Sequence, residues 1–207
     1  IDPNYSRVYW ILHQYFYETD VVKSAAYLDK YLGAKGADET NACFLKAQMK
    51  FAQGLFAETI TSSDICIASS ATPYPNIFGI KAYAYYKMGE SNIKSGDSVT
   101  AMAAYGNAKT AFGNYFEKQK PGKIGTRDYE TYAKVLLMFP GNEALAGTYI
   151  LKAVELDSTE AGKVNLLKSI ASIYESRKQF GEAAEWYKKI VETKKDPGKT
   201  DMYNAGI

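Results

Sequence analysis

His13 is the only histidine of the chain, and Cys43 and Cys66 are its only cysteines. Together with the carboxylates, these residues bound the chemistry the chain can do. A histidine-based dyad could form only around His13. No Cys or His spacing suits zinc, and no glycine-rich stretch has the pattern that cradles phosphate. Asp and Glu are spread along apparent helix faces as a solvated surface, with no spacing that argues for an acid–base pair. The sequence therefore reads as non-catalytic, with no metal site and no cofactor. Cys43 and Cys66 fall on the two helices of one hairpin and read as two buried thiols acting as small apolar residues. A bond between them needs Cα atoms within about 7 Å, which spacing does not give.

The elements that carry these residues are helical. Between Val164 and Pro197, Leu167, Ile170, Ala171 and Tyr174 form one apolar stripe, and Phe180, Ala183, Ala184, Tyr187, Ile190 and Val191 form another. Each recurs about every 3.6 residues. The short polar turn Arg177-Lys178-Gln179 must fold the two helices back as an antiparallel hairpin. Pro197 stops the second helix. Ala171 and Ala183 allow the close approach, because helices come near only where crossing side chains are short.

The same two-stripe unit recurs along the chain. Its expected hairpins are about 4–37, 38–72, 76–122, 123–160 and 164–197, with 200–207 as the opening of a further, truncated unit. Ala25 and Thr59 stand one period apart, as do Gly54 and Gly89. The third hairpin is enlarged: Ser91 to Asp97 intervenes before a helix over Ser98 to Lys118, which carries Val99, Met102, Ala108, Phe112, Tyr115 and Phe116. This segment is either an insertion particular to the protein or a tolerated loop extension, which costs little in closure entropy.

The unit resembles a tetratricopeptide repeat, the 34-residue helix–turn–helix motif. Leu167, Ile170-Ala171, Tyr174, Ala183, Tyr187 and Ile190 fill its pattern positions, while the Trp and Gly of its first helix are missing. The expected fold is all-α, a right-handed α-α superhelix of about five helical hairpins in one solenoid domain over 1–207. Tyr-rich, Ala-Tyr repeats of this degenerate kind resemble bacterial ones, which points to an exported protein of the periplasm or outer membrane.

The resemblance implies that the first helix of each hairpin lines a concave face. Candidate binding residues there are Tyr9, His13, Tyr17, Phe44, Gln48, Tyr83, Tyr86, Lys87, Lys134 and Lys168, with His13 read as a semi-exposed polar residue. Aromatic rings beside amides suit an extended peptide, whose backbone needs hydrogen bonds and whose side chains need apolar pockets. Relatives that hold a chaperone's C-terminal carboxylate do so with Lys and Asn four residues apart. Here Tyr9 and His13, Gly79 and Tyr83, and Lys168 and Ser172 stand in those places, so that mode is disfavoured.

The expected function is a protein-interaction scaffold binding a peptide or partner domain along this groove. The alternative is a carbohydrate- or ligand-binding module of an outer-membrane or periplasmic uptake system. A net charge of +2 argues against nucleic acid as partner. No apolar run reaches the ~18 residues of a membrane span. Exposed ends of a cut array invite self-association, because each repeat expects a neighbour.

Overall fold

The computed structural model describes residues 6–34 and 41–207. Among these residues there are eleven α-helices and no strand. The chain divides into two compact units, Ile1–Gln119 and Lys120–Ile207.

The first unit holds α1 (Ser6–Phe16), α2 (Val21–Gly33), α3 (Ala42–Ala52), α4 (Phe56–Ala68), α5 (Asn76–Lys94) and α6 (Ser98–Lys118). They pair as the hairpins α1/α2, α3/α4 and α5/α6, and α3 also packs on α5. Local signals set the breaks. The Asp20 side chain accepts from the Lys23 N–H at 3.0 Å and caps α2. Gly54 and Gly96 take positive φ in the α3–α4 and α5–α6 turns, a conformation costly for other residues. Asp97 then caps α6 through the Thr100 N–H.

The core of this unit is a seam of small residues filled by large ones. Ala47, Ala82, Ala84, Ala101 and Ala108 are fully buried, with Leu28, Ile77 and Phe112 packed around them. The enlarged third hairpin differs from the expected one. No loop intervenes from Ser91: α5 runs on to Lys94, so α5 has 19 residues and α6 has 21, against 11 or 13 in the preceding helices. Gly89 is not a helix end. It lies inside α5 because the ring of Tyr105 occupies the space of a side chain there. The extra turns carry Val99 and Met102 into solvent, where Val99 is 83% exposed. Tyr15 and Ile65 are exposed as well.

The two cysteines also depart from the expectation of buried thiols. They form a disulfide joining α3 to α4, with Cα atoms 5.8 Å apart. Cys66 is buried, and Cys43 is exposed.

The second unit holds a 3-10 turn (Pro121–Lys123), α7 (Thr126–Leu137), α8 (Glu143–Leu156), α9 (Glu160–Ser176), α10 (Phe180–Thr193) and α11 (Lys199–Ala205). Each helix from α7 onward packs on the next, and α7 also touches α9. Its core is Val135, Leu136, Leu137, Ile150, Leu167, Ile170 and Ile190, closed by Ala133, Ala146, Ala153 and Ala171. Gly147 lies against the Trp186 ring, which brings α8 close to α10. Lys178, in the predicted α9–α10 turn, takes φ 59°. Thr159 caps α9 by accepting from the Gly162 N–H at 3.0 Å.

Candidate functional site

In the first unit, α1 and α3 each turn a row of rings and amides to one side. On α1, Trp10, His13 and Gln14 recur at helical spacing, and Tyr17 follows in the turn just past its end. On α3, Phe44, Leu45 and Gln48 do the same, with Asn41 just ahead. Gln48 Nε2 donates to the Tyr17 hydroxyl at 3.2 Å and ties the two rows together. Between them is a hollow of about 410 Å³ lined by His13, Gln14, Tyr17, Leu45 and Gln48, among others.

Two more hollows share walls with it. One of about 360 Å³ is lined by Trp10, Tyr31, Asn41, Phe44, Leu45 and Tyr74. The next, about 540 Å³, adds Cys43, Cys66, Pro73, Pro75 and Ile77 to Asn41, Phe44 and Tyr74. Trp10 and Leu45 join the first pair of hollows, and Asn41, Phe44 and Tyr74 join the second. Tyr74 stands between two prolines in the α4–α5 connection, where Pro75 is already αR as the N-cap of α5 and the Tyr74 carbonyl accepts from the Ile77 N–H at 2.9 Å. Its ring meets Phe44 edge to face at 5.2 Å. Among the described lining residues Glu18 is the one carboxylate, and Lys and Arg are missing.

His13, Tyr17, Phe44 and Gln48 are thus brought together. His13 is not semi-exposed, however; it is 5% exposed. The Ser24 hydroxyl donates its single proton to the His13 carbonyl at 2.8 Å. Nδ1 of His13 is then left to donate to Ser24 Oγ at 2.9 Å and to the Ser24 carbonyl at 3.2 Å. These bonds fasten α1 to α2 and engage Nδ1 of the ring.

The other candidates lie elsewhere. Tyr9 has Lys30 of α2 at 6.0 Å from its ring centre. Tyr83 packs edge to face on Phe112 at 5.2 Å and on Phe51 at 6.4 Å. Tyr86 meets Tyr105 at 5.9 Å, and Lys87 pairs with Glu90 at 2.6 Å. In the second unit, Lys134 pairs with Glu130 at 2.6 Å, and Lys168 is exposed near Asp201. Sequence reasoning missed Trp10, Tyr31 and Tyr74. Trp10 had a signal, since it stands three residues before His13 on one helix face and seven before Tyr17, which follows the helix. Tyr74 had none beyond its flanking prolines.

Burial rather than charge governs the phenols of the second unit. Burial pushes the Tyr132 hydroxyl up to about 12, and Tyr149, stacked on it at 5.2 Å, adds to the effect. Among the described residues no group of three or more His, Cys, Asp or Glu could hold a metal. No described helix is long and apolar enough to cross a membrane.

A family model of the tetratricopeptide repeat matches residues 169–197. No curated protein is similar in sequence to this chain. A solved thermophilic TPR protein of Thermus thermophilus is 15% identical, covers 97% of both chains and superposes with a TM-score of 0.59. The C-terminal part of a TPR repeat-containing protein from Cytophaga hutchinsonii is 20% identical over 73% of this chain and 65% of that one, with a TM-score of 0.45. Tetratricopeptide-repeat proteins are in general non-catalytic scaffolds that bind other proteins. Residues 169–197 thus match the tetratricopeptide repeat, and the chain has the all-α, helical-hairpin fold of the Thermus thermophilus TPR protein.

Proposed function

We propose that this chain is a non-catalytic interaction scaffold that takes an extended, largely uncharged peptide along the three joined hollows of its first unit. The observation that carries this reading is the lining: rings, amides and hydroxyls, with Glu18 as the single described carboxylate. An extended peptide brings carbonyls and N–H groups that need partners, and side chains that need apolar walls. Amides and hydroxyls supply the first, and Trp10, Phe44 and Tyr74 the second. A strongly charged ligand would lose water here and find little in return. The Cys43–Cys66 bridge supports an exported placement, since disulfides persist in oxidising compartments.

Peptides selected from a displayed random library on the wild-type chain test the reading. Phe44→Ala and Tyr74→Ala, checked as folded by circular dichroism, should each weaken a selected peptide about tenfold, and Lys168→Ala should leave it unchanged. Peptides that bind both ring variants as well as wild type would rule these hollows out as the site. A carbohydrate is the second reading, favoured by the rings of Trp10, Tyr31 and Tyr74 sharing one hollow with Asn41. Glycan-array binding that disappears in Tyr74→Ala would select it over the peptide.

A further inference from the structure

We propose that the Cys43–Cys66 disulfide is a thiol-exchange site, opened by a dithiol, and that its opening remodels the 540 Å³ hollow while the helices persist. The bridge joins the second residue of α3 to the last turn of α4. It therefore sits at the open end of the hairpin, away from the 53–55 turn. The two ends are held differently. Near the turn, Phe51 packs on Phe56 at 5.4 Å and Lys50 pairs with Glu58 at 2.5 Å. At the open end, α3 starts without a side-chain cap, and its first fully buried residue is Ala47. Releasing the bridge frees the first turn of α3 while the turn end stays fastened.

The hollow lies at that same end. Both cysteines line it, together with Phe44 and Tyr74. Phe44 follows Cys43 directly, so movement of the first turn draws its ring off Tyr74. On the other side, Ser69 Oγ donates to the Cys66 carbonyl at 3.0 Å, which links the bridge to the Ser69–Pro75 wall.

Access selects the sulfur that reacts. Cys43 is exposed and Cys66 is 7% exposed. A thiolate of the dithiol attacks Cys43 Sγ, the S–S bond breaks, and Cys66 leaves as a thiolate. The reagent's second thiolate then attacks the reagent's own sulfur in the mixed disulfide. That step closes the reagent's disulfide and releases Cys43 as a thiolate. Two electrons pass to the cysteines, which take up two protons as thiols.

The test uses the full chain, without denaturant and without any peptide, so its failure leaves the peptide reading standing. Dithiothreitol is added and amide hydrogen exchange is read by mass spectrometry. The expected result is an opened bridge, an unchanged helical spectrum, and about tenfold faster exchange in residues 42–46 and 66–75. Peptides from 126–193 should not change. The Cys43→Ser/Cys66→Ser chain should show the fast pattern from the start and ignore the reagent. Glutathione disulfide mapped on Cys43 in the partly reduced chain supports the access argument, and mapping on Cys66 overturns it. A bridge that opens only in denaturant, an opened bridge with unchanged exchange, or loss of the helical spectrum overturns the proposal.

Discussion

Gly89 of α5 lies against the ring of Tyr105 in α6, so near that a Cβ on Gly89 would stand 2.6 Å from Tyr105 Cε1. Tyr105 is itself buried, so its ring has little room to withdraw. The long hairpin is therefore closed by a large side chain over a missing one. Gly89→Ala gains helix propensity of about 1 kcal/mol but overpacks the seam by about 1–3 kcal/mol. A net loss is expected, read as a lower urea midpoint with an unchanged slope. A midpoint at or above wild type would mean that α5 and α6 separate easily.

Tyr83 tests the split between binding rings and packing rings. Its ring lies between Phe51 of α3 and Phe112 of α6. Phe112 is fully buried. Tyr83→Ala should cost on the order of 2 kcal/mol in chemical unfolding, through lost ring contact and the cavity left beside Phe112. The same change in a selected peptide's affinity should be small, because Tyr83 does not line the three hollows.

Asp20 and Asp97 predict the acid limb of stability. A backbone hydrogen bond from Lys23 holds the Asp20 carboxyl below its usual range, and a hydrogen bond from Thr100 does the same for Asp97. Both folded values are depressed, so their contribution is present above the unfolded value of about 3.9 and is lost as pH falls through the folded values. The melting temperature should therefore drop below about pH 4. Asp20→Asn/Asp97→Asn, which keeps the caps but not the titration, should flatten that drop and leave neutral pH little changed. An acid limb identical to wild type would assign the loss to other carboxylates.

Tyr132 predicts the alkaline limb. Its phenol is pushed up to about 12 by burial and by Tyr149, above an unfolded value of about 10. A raised folded value stabilises the native state below the unfolded value, and that advantage is lost as pH rises from about 10 toward 12. Burial also raises the phenols of Tyr105, Tyr149, Tyr174 and Tyr187, so phenolate absorbance should show several late-titrating groups, and the part that titrates toward pH 12 should disappear in Tyr132→Phe. Stability of that variant should fall less steeply above about pH 10.

Much of this molecule was legible in the residues. The 3.6-residue stripes, the Asp20 cap, Gly54 and the polar turn at 177–179 are local signals, and each marks a helix or a turn by chemistry within a few positions. Recurrence of the same two stripes was enough to expect five hairpins and the fold class, because a stripe must be buried against a neighbour of the same kind. The aromatic and amide row of α1 and α3 was visible for the same reason: spacing gives the face.

The opposing neighbour is a tertiary fact. Spacing gave Tyr17 and Tyr83 the same standing, yet Gln48 meets the hydroxyl of one and Phe112 meets the ring of the other edge to face. His13 read as a semi-exposed polar residue, yet it is buried and its Nδ1 bonds to Ser24 of the next helix. Gly89 stands one period after the turn glycine Gly54, yet it lies inside α5, where the Tyr105 ring fills the place of a side chain. Cys43 and Cys66 stand 23 residues apart, and the fold of α3 against α4 brought them to bonding distance. Periodicity specifies which face of a helix is apolar. Side-chain volume and hydrogen-bond demand, matched across helices distant in sequence, decide what that face meets.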